Sequence, residues 1–158
     1  MPDSLFSLVA AAVFLFFAFL SFTLLIHPGF FFRMFPNPLQ PDTPWNRVQM
    51  RGVGLIFCLM LSMVFSGILR GAHASALLEG FHHNMLLALW IALLAVPILL
   101  WFLWRFSVRP ITRSAYISGS FENPAWERRM SIIFCSILVF IVGLAWLLAA
   151  KGITLDSV

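Results

Sequence analysis

The sequence predicts an all-α integral membrane protein, a bundle of four transmembrane helices. Three observations predict it. The 158 residues are 61% apolar and only 10% charged, with a mean hydropathy of +0.97, whereas soluble domains carry about 25% charged residues. Four stretches, 4–25, 52–69, 84–104 and 131–150, contain no charged side chain, and roughly 20 apolar residues cross a bilayer core. The basic residues, finally, are segregated to alternate connections, as the retention of Lys and Arg on the cytoplasmic side requires.

Taken in order, the first stretch resembles a secretory signal only superficially, because it lacks a basic leader and its apolar run is longer than the usual ~7 to 15 residues. It is expected to remain as a helix. Backbone polar groups in hydrocarbon must be satisfied within the segment, so all four runs should be helical. The expected spans are about 4–26, 50–70, 84–106 and 129–150 of a single membrane domain, 1–158. The connection HPGFFFRMFPNPLQPDTPWNR carries Pro28, Pro36, Pro38, Pro41 and Pro44, which predicts an extended loop over about 27–49. Phe30, Phe31, Phe32 and Phe35 beside Arg33 place part of it at the headgroup boundary. The second connection, about 71–83, is short, with room for one helical turn. Pro97 frees the Leu93 carbonyl and should bend the third span. Pro110, Gly119 and Pro124 make the third connection, about 107–128, a loop.

The first and third connections hold Arg33, Arg47, Arg51, Arg105, Arg109, Arg113, Arg128 and Arg129, against Arg70 and Lys151 on the other side. Eight against two puts both termini on the non-cytoplasmic face. Trp101, Trp104 and Trp126 near one boundary and Trp146 near the other fit interfacial anchors; Trp90 lies deeper. The starts of the second and fourth spans, WNRVQMRGVGLIFC and WERRMSIIFC, share Trp, Arg, Met and Ile-Phe-Cys once a four-residue gap is allowed. That match admits two parallel-repeated helical hairpins. Cys58 and Cys135 then lie at similar depth.

Within the spans, Gly54, Cys58, Ser62 and Ser66 recur every fourth residue, which makes a small-residue packing seam. Ala88 and Ala92, with Ala145 and Ala149, are its expected partners. Ser62→Leu should therefore disturb packing more than Leu59→Phe. No charged side chain is expected inside the membrane, which argues against a self-contained coupled transporter. His73, Glu79, His82 and His83 cluster in the outer connection, and Glu79 with His82 has Glu-x-x-His spacing. The remaining carboxylates cannot complete a shell, so Glu79, His82 and His83 are metal candidates of last resort, and replacing both His82 and His83 should leave the fold intact. His27, His73, His82 and His83 are the histidines available to a haem, and no two spans offer a matched pair, which leaves only a haem shared with another subunit for bis-His ligation. Cys58 and Cys135 read as small hydrophobes. Arg105, Arg109 and Arg113 recur at helical spacing and are assigned to lipid heads or an acidic partner. No Walker, dinucleotide, zincin or nucleophile-elbow motif occurs.

The pI of about 10.1 does not indicate nucleic acid, because the positive charges punctuate apolar runs instead of clustering on a wetted face. The expectation is a non-enzymatic multi-pass protein of the plasma (inner) membrane. In that reading it is an accessory or structural subunit, its partners being lipids and other membrane subunits, and its 18 Phe and 6 Trp offer the contact area. No cofactor is predicted, although a structural lipid is compatible with the composition. An oligomeric channel or carrier, and a redox subunit using the outer histidines, are the alternatives.

Overall fold

Proline and capping residues, more than hydropathy, decide where the helices begin. The computed structural model describes residues 2–35, 42–72, 75–109 and 123–154. Its elements are α1 (Pro2–Ile26), α2 (Pro28–Met34), α3 (Pro44–Ala72), α4 (Ala76–Leu103), a π-helical turn (Trp104–Val108) that continues α4, and α5 (Pro124–Ala150). Helix is the sole regular structure among the described residues, and α1, α3, α4 and α5 are long and apolar enough to cross a membrane. The chain is an all-α four-helix membrane bundle.

Helices α3, α4 and α5 begin before their apolar runs do. Pro28, Pro44 and Pro124 each occupy a first helical position, where the missing N–H would have had no intrahelical partner and the fixed φ already suits the helix. Thr43 Oγ1 accepts from the Asn46 N–H at 3.2 Å, and Asn123 Oδ1 from the Trp126 N–H at 3.0 Å. Ser75 Oγ likewise accepts from Leu78 N–H at 3.2 Å to start α4. Each supplies an acceptor for an orphan donor of the first turn. The expected extended loop is thus corrected at both ends, since 28–34 is a short helix and α3 starts at Pro44, about six residues before the apolar boundary. Similarly, α4 takes in most of the expected outer connection.

The four long helices alternate in direction. At one end the C-terminus of α1 meets the starts of α3 and α5, and Trp45 of α3 packs edge-on against Trp104 at 5.0 Å between ring centroids. At the other, Gly80 of α4 lies against Ala149 of α5. A core of Leu25, Val48, Leu55, Leu59, Met85 and Phe134 runs between them. Direct contact is close between α3 and its neighbours and sparse between α1 and α5, so those two helices leave a groove along the bundle. The structure gives the matched halves different surroundings: Arg51, seven residues before Cys58, is buried, and Arg128, seven before Cys135, is exposed.

Candidate functional site

The site is built where α1 stops. Pro28 has no N–H, the His27 N–H returns to the Thr23 carbonyl at 2.8 Å, and the Phe30 N–H goes to the His27 carbonyl at 2.9 Å. The Ile26 carbonyl is left outside this helical ladder, and an orphan carbonyl in an apolar bundle must find another donor. Ser131 Oγ of α5 donates to it at 2.8 Å, and Arg51 Nη2 of α3 approaches it at 3.4 Å. One carbonyl thereby ties three helices.

Arg51 is the centre of the arrangement. Its side chain is 0% exposed and donates through Nη2 to Glu127 Oε2 in the first turn of α5. Glu127 Oε1 in turn accepts from Arg47 Nη1 at 3.1 Å. Arg47 closes on Asp42 through Nε at 2.5 Å and Nη2 at 2.6 Å, a bidentate pairing suited to a planar guanidinium. The order is therefore Arg51, Glu127, Arg47, Asp42, passing from the bundle interior to the surface. Arg51 Nε and Nη1 have no hydrogen-bond partner among the described residues. A buried guanidinium with two unmatched donors is costly and is retained only where its counter-charge is fixed. The sequence set Arg51 and Glu127 at the edges of the spans; the structure places both between the helices, because α3 and α5 start early enough to carry them there.

Above this network opens the α1–α5 groove. Its mouth is a cavity of about 700 Å³ lined by Ile26, His27, Gly29, Arg33, Arg47 and Glu127, with Phe19 and Phe22 deeper. A second cavity of about 640 Å³ continues from the same Phe22 along Phe14, Cys58, Ser62 and Leu138 to Gly143. Gly29 has a structural reason: a Cβ there would lie 3.2 Å from Arg47 Cζ, so its bare backbone lets the guanidinium lie flat across the start of α2.

Comparison with protein-family models, curated proteins and solved structures gives no match to this chain.

The seam residues divide among three neighbours. Gly54 lies against the α1 backbone, where a Cβ would stand 2.7 Å from Leu25 N. Cys58 and Ser62 line the groove. Ser66 pairs with His82 Nδ1 of α4 at 3.0 Å and bonds the Met63 carbonyl at 2.7 Å. Ala88, Ala92 and Ala145 line a cavity between α4 and α5 instead, and Ala149 packs on Gly80. These alanines therefore lie along the contact of α4 with α5.

Among the histidines, His82 is engaged with Ser66. His83 borders a 430 Å³ outer cavity with Glu79 and Thr154, and His27 sits at the opposite end of the bundle. His73 and Arg113 lie outside the described residues. No group of three or more His, Cys, Asp or Glu suited to a metal ion occurs among the described residues. Arg105 and Arg109 are exposed at the basic end.

Asn84 is a residue that the sequence did not single out. At 1% exposure, its Nδ2 donates to the carbonyls of Ala145 at 3.2 Å and Ile153 at 3.1 Å. It thus fastens α4 to the end of α5 and to the turn beyond it. The available signal was its position at the edge of the apolar run, where an amide in lipid must bond across helices.

Proposed function

We propose that this chain is a non-enzymatic integral membrane protein acting as an accessory or structural subunit that packs against a larger membrane assembly. The observation that carries this reading is how the polar groups of the spans are used. Ser21 and Ser62 bond their own helices, Asn84 and Ser131 bond neighbouring backbone, and Arg51 is held by Glu127. Each such bond serves cohesion. The outward surface is apolar: on α4 alone, Trp90, Leu94, Ile98 and Trp101 project from the bundle, Leu94 at 76% exposure. Large rigid aromatics of this kind supply contact area at little entropic cost. In the same reading the basic end faces the cytoplasm and the membrane is the plasma (inner) membrane, on the sidedness of the arginines.

A photo-crosslinking amino acid at Leu94 or Ile98, activated in intact membranes, tests the proposal. The expected product is one discrete heteromeric adduct that survives purification in mild detergent. Adducts with lipid alone, or with a second copy alone accompanied by ion flux in reconstituted vesicles, would replace the subunit reading with that of an independent channel or carrier.

A further inference from the structure

The geometry points to the α1–α5 groove as a binding site for one anionic phospholipid, its phosphate beside Arg33 and an acyl chain lying along Phe22 toward Phe14. Three features of the groove fit that occupant.

The first is shape. The two cavities, about 700 and 640 Å³, both border Phe22 and follow one another along α1, and together they are the proposed trough. From Ile26 to Phe14 is twelve residues of helix, or about 18 Å at 1.5 Å per residue. One leaflet of a ~30 Å hydrocarbon core is about 15 Å deep. The trough therefore runs from the headgroup boundary to near the bilayer midplane, the reach of a single acyl chain. It is also open to the side, since Phe19, Phe22 and Val139 on its walls are all exposed, and Gly143 leaves a stretch of α5 bare, with nothing within 4 Å of the place a Cβ would take.

The second is polarity. Below the rim the walls are Phe, Ala, Leu and Val, with Cys58 and Ser62, and Ser62 Oγ is turned to its own helix at the Cys58 carbonyl. A soluble anion gains nothing from such a wall, whereas an acyl chain gains contact along its whole length.

The third is charge. The rim and the network beneath it hold Arg33, Arg47 and Arg51 against Asp42 and Glu127, three positive charges against two negative. Glu127 borders the groove but gives its oxygens to Arg47 and Arg51, and Asp42 is taken by Arg47. Arg33 is exposed and has no ion pair among the described residues, so the surplus charge belongs to it. The phosphodiester of a phospholipid with no compensating positive headgroup is the complement, and basic residues beside a membrane surface favour anionic lipids. α2, which carries Arg33, follows directly on the end of the α1 span, the level at which a headgroup of the proposed lipid would lie.

Native mass spectrometry of the detergent-purified full chain, titrated with phosphatidylglycerol or with phosphatidylcholine of the same acyl chains, tests the assignment. The expected result is one phosphatidylglycerol retained per chain, with about fivefold preference over phosphatidylcholine. Arg33→Gln should abolish the preference, Gly143→Leu should remove lipid retention altogether, and Arg129→Gln, an exposed arginine away from the groove, should change neither. Val139→Trp is a second way to fill the trough, and circular dichroism with the elution volume shows that each variant is folded. Equal retention of both lipids by the unaltered chain overturns the proposal. So does an equal loss with Arg129→Gln, which would mean diffuse surface attraction, or persistence of the lipid in folded Gly143→Leu and Val139→Trp. Inorganic phosphate bound equally by the unaltered chain and by Gly143→Leu would assign the rim to a soluble anion, and likewise overturns it.

Discussion

At the residue scale, Arg51 and Glu127 dominate, because the cost of a buried ion pair is realised when one partner is removed. Glu127→Gln leaves Arg51 buried with its charge uncompensated, and should destabilise the bundle by about 3 kcal/mol. Adding Arg51→Met removes the charge that made the first change costly, so the double variant should lose less than the sum of the two single variants. Reversible unfolding in mixed micelles measures the cycle, and strict additivity would mean that the two side chains do not depend on each other. Glycines give a second contrast at this scale. A methyl at Gly54 would press on the α1 backbone at 2.7 Å, and Gly54→Ala should cost about 1–3 kcal/mol through forced separation of the helices. At Gly143 the same change meets open space, and Gly143→Ala should be neutral or stabilising by up to about 1 kcal/mol from helix propensity. If the two substitutions unfold alike, the close approach of α1 to α3 is not as described.

At the element scale, α3 is the mast of the bundle, touching α1, α2, α4 and α5 in turn. Its residues at four-residue spacing meet different things: α1 backbone at Gly54, groove at Cys58 and Ser62, and His82 at Ser66. The order of sensitivity expected from sequence for Ser62 and Leu59 is accordingly reversed. Leu59 is 0% exposed, so Leu59→Phe must overpack a filled core and should cost about 1–3 kcal/mol. Ser62→Leu extends into the groove, loses a hydrogen bond to its own helix, and should cost under about 1 kcal/mol. Thermal unfolding of both variants in one detergent decides the order. Spacing along one helix says nothing of which neighbour each position will face.

At the scale of the whole molecule, sidedness is the property that most needs a measurement. The helices alternate, and the end that holds Arg47, Arg51, Arg105, Arg109, Arg128 and Arg129 stands opposite the end with Arg70 and Lys151. We propose, on the retention of basic residues, that the first end is cytoplasmic. Single cysteines introduced near Ser75 and Glu79, in a Cys58→Ala, Cys135→Ala background, should react with an impermeant thiol reagent added outside intact cells. Cysteines near Asn123 and Ala125 should react only after permeabilisation. The opposite pattern would invert the molecule and, with it, the leaflet that reaches the α1–α5 groove.

Fold class was determined by the sequence alone, because a charge-free run of some 20 apolar residues in lipid has one cheap solution, a helix that satisfies its own backbone. The alternation of the four helices followed from their short connections. Where each helix starts was also written in the chain, in Thr43-Pro44 and Asn123-Pro124, but those prolines carry two meanings, and the reading that treats them as breakers puts the starts too late by about five residues. That shift hid the site. Only the tertiary structure brought Ile26, Arg51, Glu127 and Ser131 together, from three helices and across as many as 105 positions of chain, and only it left α1 and α5 apart. The physical reason is common to both: hydropathy is a one-dimensional property that fixes depth in the membrane, whereas an ion pair or a groove depends on rotation about each helix axis, and that is decided by which side chains fit against which.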